Sequence, residues 1–129
     1  MTAPTPADVD RLFGEAISRG DVEAALACYE EGASLVPQPG QIVTGAAALR
    51  EAVGGFAALK GTLDIRVEEV VEAGDLALLR SRWTLRGTGP DGQPLEMAGA
   101  GAEVVRRQAD GSWRFVIDHP FAAMPDQPS

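Results

Sequence analysis

The sequence of 129 residues contains a single cysteine, Cys28, and a single histidine, His119. One cysteine excludes an internal disulfide and any cysteine-rich metal site. With one histidine as well, a zinc site would have to be built from carboxylates, against the preference of zinc for nitrogen and sulfur ligands. Basic residues are few: 11 Lys and Arg stand against 19 Asp and Glu, a net charge of −8. Phosphate recognition needs clustered Lys and Arg, so nucleic acid and anionic membrane surfaces are excluded as partners. No apolar run approaches the roughly 20 residues of a membrane span. Met1–Pro6 lacks the basic and apolar regions of a signal peptide, and a cytoplasmic location is expected.

What is present reads as one globular domain, with 45% hydrophobic and 23% charged residues. Thr5-Pro6-Ala7-Asp8 has the order of a helix start, and Val9, Leu12, Phe13, Ala16 and Ile17 recur at helical spacing. The spacing predicts helices over Pro6–Arg19, Val22–Glu31 and Gly45–Leu59. Ala33–Val36 is expected as a short edge strand, and Pro37-Gln38-Pro39-Gly40 as irregular chain. From Thr62 the period changes to strict alternation, with turns at Glu72-Ala73-Gly74-Asp75, Gly89-Pro90-Asp91-Gly92 and Ala109-Asp110-Gly111. Three N-terminal helices followed by a four-stranded meander give an α+β fold, the helices packed on the concave face of a strongly curved, mainly antiparallel sheet. Gly99 and Gly101 mark where one strand can bend. The expected division is a disordered N-terminus at residues 1–5, a single domain at 6–122 and a disordered tail at 123–129.

The stretch from Gly111 to Phe121 carries the most chemistry. Period-two alternation places Trp113, Phe115, Ile117, His119 and Phe121 on the core face and Arg114, Val116 and Asp118 on the other. His119, with an ordinary pKa near neutrality, is then the candidate acid or base at the rim of a pocket. Asp118 joins it only if a bulge reverses its face. Trp83, on the Ala77–Leu79–Ser81–Leu85 face, and Tyr29, placed at the end of the second helix, are candidate pocket walls with polar handles. Arg80, Arg82 and Arg86 lie on the opposite face. That face also carries Leu76, Leu78 and Val116 and is too apolar in places for a free surface. Glu96 and Glu103 lie on a strand with either face open to burial. Cys28 reads as a small apolar filler.

Gly20-Asp21 between two helices with Tyr29 downstream, Thr44-Gly45-Ala46-Ala47-Ala48-Leu49-Arg50, and Asp110-Gly111-Ser112-Trp113-Arg114-Phe115 with Asp118-His119 together resemble the nuclear transport factor 2-like superfamily, over about Val9 to Phe121. This is the cone-shaped fold of ketosteroid isomerases and SnoaL-like polyketide cyclases. The resemblance implies a pocket for a small apolar organic molecule, no cofactor, no metal, and a homodimer through the outward sheet face. It adds Phe13 and Phe56 to Trp83, Tyr29 and Phe121 as ligand-binding positions. It does not imply one activity, since superfamily members include isomerases, cyclases, dehydratases, ligand binders and protein-transport factors. The steroid isomerases place a general-base Asp between the second and third helices and a Tyr on the first. Here those places hold Leu35-Val36-Pro37-Gln38-Pro39-Gly40 and about Phe13, so a steroid isomerase is not expected. Asp118-His119 is the local counterpart of the Asp/His chemistry of the cyclases. An enzyme of cofactor-free acid–base chemistry is the first reading; a non-catalytic binding or interaction module is the second. An enzyme should bring a titratable group and a second polar residue together in the pocket, whereas a binding module should show an apolar or filled one.

Overall fold

The computed structural model describes residues 2–123. Helix α1 runs Pro6–Ser18, with proline at its first turn and extended Thr5 as its N-cap. The Thr5 hydroxyl caps no backbone N–H; it donates instead to Asp8 Oδ2 at 2.7 Å. Its apolar stripe, Val9, Leu12, Phe13, Ala16 and Ile17, is buried against the sheet. Asp21 caps α2, Val22–Leu26, by accepting from the Ala24 N–H at 3.0 Å.

The second helix stops well short of Glu31. After a turn at Ala27–Cys28 the chain becomes β1, Tyr29–Gln38. The Phe115 N–H donates to the Cys28 carbonyl at 2.7 Å, and Tyr29 pairs with Phe115. Sheet pairing here overrides a local helical pattern. Tyr29 therefore opens a strand instead of closing a helix. Pro37 and Gln38 extend β1, and only Pro39–Gly40 turns, with Gly40 at φ 84°, into β2, Gln41–Thr44. The segment Ala33–Val36 is consequently not an edge. β2 covers it on one side and β6 on the other.

Helix α3, Ala46–Ala57, buries Leu49 and Val53. It is followed by β3, Thr62–Ala73; β4, Leu76–Thr88; β5, Pro94–Arg107; and β6, Trp113–His119. The sheet order is β2-β1-β6-β5-β4-β3, antiparallel throughout except for the parallel pair β1–β6. The α+β expectation holds, with a two-stranded hairpin added to the meander. On β4, Ala77, Leu79, Ser81, Trp83 and Leu85 face inward and their alternates outward, as the alternation required.

Residues 2–5 do not hang free: Ala3 is buried and bridges Trp113, whose N–H donates to the Ala3 carbonyl at 2.9 Å. At the other end the Ala123 N–H reaches the Ala100 carbonyl at 3.0 Å, and the remainder of the expected tail, 124–129, lies outside the described residues. No helix among the described residues is long and apolar enough to cross a membrane.

Two glycines show how tightly the α3–β3 connection is threaded. A Cβ on Gly61 would lie 2.0 Å from the Arg86 carbonyl oxygen, whereas one on Gly54, inside α3, would meet nothing within 4 Å. Gly61→Ala should lower unfolding free energy by about 1–3 kcal/mol through backbone displacement. Gly54→Ala should raise it by roughly 0.5–1 kcal/mol through helix propensity. Urea denaturation of the two variants checks the opposite signs; equal effects would refute the packing assigned to Gly61.

Candidate functional site

The decisive local event is a bulge in β6. Val104 pairs with Ile117 and Val105 with Phe115, so Val116 has no partner across β5. An extra residue inverts the facing of everything beyond it. Trp113 and Phe115 point into the core, but beyond the bulge Asp118 is the inward residue, 7% exposed, while Ile117 is 45% exposed. Strict alternation had put Ile117 and His119 inside and Asp118 outside. His119 does not line the cavity: it sits half-buried, its Nδ1 accepting from the Phe121 N–H at 3.3 Å.

Asp118 enters a cavity of about 640 Å³, its open mouth included. Phe13, Phe56, Leu63, Ile65, Trp83, Leu85, Met97, Pro37, Pro120 and Phe121 form its apolar lining, and Asp10, Ser81, Glu103 and Asp118 its polar end. Of the expected ligand-binding residues, Trp83, Phe121, Phe13 and Phe56 are on that lining. Tyr29 stands behind it. Its phenol donates to Asp118 Oδ2 at 2.6 Å, and its ring meets Phe13 edge-to-face at 5.8 Å and Phe115 at 5.0 Å. Trp83 offers no free polar handle: its indole N–H donates to the Pro120 carbonyl at 2.7 Å. Its ring lies so close to β5 that a Cβ on Gly99 would sit 2.5 Å from it. Phe121 packs edge-to-face on the indole at 5.7 Å, so the chain after β6 forms part of the rim.

Two acids of the site were not singled out by the sequence pattern. Asp10 projects from α1 one turn before Phe13, and Glu103 stands on β5 directly across from Asp118; each is 2% exposed. The Ser81 hydroxyl donates to Glu103 Oε2 at 3.0 Å, while Glu103 Oε1 and Asp10 Oδ2 have no donor among the described residues. Asp10 and Glu103 interact side chain to side chain, which as two carboxylates they could do only by repulsion. A proton on one of them turns the contact into a hydrogen bond. Burial raises both above the ordinary carboxylate range.

Asp118 is pushed up to about 7, chiefly by burial, with the negative charge of Asp10 adding to the rise and the Tyr29 hydrogen bond opposing it. Burial and the adjacent Asp118 hold the Tyr29 phenol protonated. Glu96, by contrast, is exposed and paired outward with Arg86 at 3.7 Å, and Arg80 and Arg82 are exposed partners of Glu69 and Glu68. Cys28 is buried, its thiol pushed up to about 12 chiefly by burial. Among the described residues no group of three or more His, Cys, Asp and Glu is arranged to hold a metal ion.

Three helices on a curved, mostly antiparallel six-stranded sheet define the fold class, and sequence comparison gives the family. Residues 9–116 match the SnoaL-like domain. The chain belongs to that family. No curated protein matches the sequence significantly. Among solved structures, a ketosteroid isomerase-like protein from Erwinia carotovora atroseptica superposes with a TM-score of 0.79 at 23% identity, over 92% of this chain and 94% of its own. A candidate dehydratase of the nuclear transport factor 2-like family from Streptomyces avermitilis gives 0.74 at 20% identity, over 91% and 94%. A nuclear transport factor 2-like protein with a cystatin-like fold from Novosphingobium aromaticivorans gives 0.76 at 18%, over 92% and 80%. At these identities the likeness is one of fold.

The raised acids make stability depend on pH with a definite sign. Their protons are bound more tightly in the folded chain than in the unfolded one, so stability falls as pH rises from the ordinary carboxylate range of about 4. For Asp118 that loss extends to about pH 7. Wild type should be less stable at pH 8 than at pH 5. Asp118→Asn, which keeps the shape and an acceptor for Tyr29, should remove a few kcal/mol of that difference. Denaturant titrations at the two pH values measure it. A wild type equally stable at both, or an Asn variant with the same slope, would count against the buried-acid assignment.

Proposed function

We propose that the protein is a cofactor-free acid–base enzyme of the isomerase, cyclase or lyase type, acting on a small, largely apolar organic molecule held in this cavity. The observation that carries the reading is Asp118: a buried carboxyl inside an apolar cavity, braced by Tyr29 at 2.6 Å and poised near neutrality. A general base works best when its pKa lies near the operating pH. Tyr29 holds Oδ2 and fixes the carboxyl plane, leaving Oδ1 to take a proton from the substrate. His119 is not part of this arrangement. A module that merely holds a neutral apolar molecule has no use for three buried acids, which cost stability in a cavity that needs only apolar walls.

The test is proton exchange. Incubation in deuterated buffer with a panel of apolar aryl ketones, followed by mass spectrometry, should reveal incorporation at carbon. Asp118→Asn should slow it by about 10²–10⁴-fold. Because the base acts ionised, the rate should rise with pH through the Asp118 transition. Tyr29→Phe, which removes the hydrogen bond that lowers the Asp118 pKa, should move the midpoint upward. Exchange unaffected by Asp118→Asn would reject Asp118 as the base.

We also infer a homodimer through the outward sheet face. Val71, Leu78, Val104 and Ile117 are successive cross-strand partners and form one apolar row across four strands. Val71, Leu78 and Ile117 are 51%, 42% and 45% exposed. Ile117, turned out by the bulge, takes the place that strict alternation gave to Val116. Sedimentation should show a dimer at micromolar concentration, and Leu78→Lys with Ile117→Lys should reduce it to monomer. A monomeric wild type would exclude the pairing.

A further inference from the structure

The polar end of the cavity is unbalanced in a way that speaks to the ligand. Three carboxyl groups converge there, Asp10, Glu103 and Asp118, all more than nine-tenths buried. Among the described residues no Lys, Arg or His lines the cavity. Six carboxyl oxygens are served by two protein hydroxyl donors, Tyr29 to Asp118 and Ser81 to Glu103. Asp10 Oδ2 and Glu103 Oε1 are left without a donor among the described residues. One proton shared between the two serves both atoms only while one acid stays neutral, and no basic side chain among the described residues lines the cavity to let both ionise.

We propose that the ligand carries a protonated amine on an apolar body, the ammonium seated on Asp10 and Glu103 and the body lying along Phe13, Phe56 and Trp83. An ammonium brings up to three donors and no acceptor, which is what a site with unserved acceptors lacks. It also places a positive charge where buried carboxylates otherwise repel one another. A neutral hydroxyl supplies one donor and no charge, and a carboxylate adds to the repulsion. The aromatic walls favour the same choice, since a cation beside Trp or Phe gains from the ring quadrupole. Asp118 stays free to act on an adjacent C–H bond. The inference rests on the cavity being the ligand site, as the proposed function does, but not on Asp118 being a base.

Three matched probes separate the possibilities: 2-phenylethylamine, 2-phenylethanol and 3-phenylpropanoate, titrated calorimetrically into the full-length protein at neutral pH. The amine should bind at least tenfold more tightly than the alcohol, and the carboxylate should not bind. In the double variant Asp10→Asn with Glu103→Gln that preference should vanish while the alcohol still binds, which shows that the cavity remains formed. Alcohol binding as tight as amine binding overturns the amine assignment and leaves the cavity reading standing. So does a preference that survives the double variant. If none of the three binds, both readings fall. Loss of Asp118-dependent exchange with amine preference intact would reject only the catalytic role.

Discussion

The hydrogen bond from the Tyr29 phenol to Asp118 joins the first strand of the sheet to the last at the inner end of the cavity. It spans 89 positions in sequence and depends on two irregularities, the bulge at Val116 and a register shift between Tyr29 and Ser34 in the β1–β6 pair. Without the first, Asp118 would face outward and Ile117 would fill its place. The acid end of the cavity would then contain Asp10 and Glu103 alone, beside a phenol with nothing to donate to. Bulges beside a functional site commonly re-aim a side chain; here the re-aimed group is a carboxyl that burial pushes up to about 7.

Much of this was legible in the sequence. The change from 3.6-residue to two-residue periodicity at Thr62 located the helices and the meander, and the inward face of β4 followed directly from its alternation. Strand alternation pointed to Trp83 and Phe121 as cavity walls and the family resemblance added Phe13 and Phe56; all four stand on the lining. Asp10 carried a signal that could have been used. It lies three residues before Phe13, which in turn lies four before Ile17, so it is a charged residue on the buried stripe of α1. Glu103 carried one as well. The turn at Gly89–Gly92 sets a register in which Glu103 faces Leu79, on the same inward side as Ser81 and Trp83.

The facing of Asp118 and His119 was another matter. Alternation predicts a parity, and one unpaired residue inverts it; whether Val116 is skipped depends on how β5 and β6 settle against each other and against β1. The start of β1 was hidden for a related reason. Val22 to Tyr29 has good helical spacing, but the backbone groups of Cys28 and Tyr29 are claimed by β6 from the far end of the chain. Non-local pairing decides both errors, and neither is visible in a local window.

The parallel seam between β1 and β6 has a consequence for how the molecule comes into being. During synthesis β1 emerges early and can pair with β2 at once, but its other edge has no mate until residues near 113–119 have left the ribosome. Helices, the β1–β2 hairpin and the β3–β5 meander are local and quick to organise; the seam that unites them is the slow, long-range closure. Until it closes, an unpaired strand edge and the apolar faces of α1 and β4 stay accessible to other chains. The acid cluster is assembled in that same last step, because Tyr29 and Asp118 meet only across the seam. A nascent chain therefore does not bury the cost of its charged interior until every other part of the core is ready to bear it.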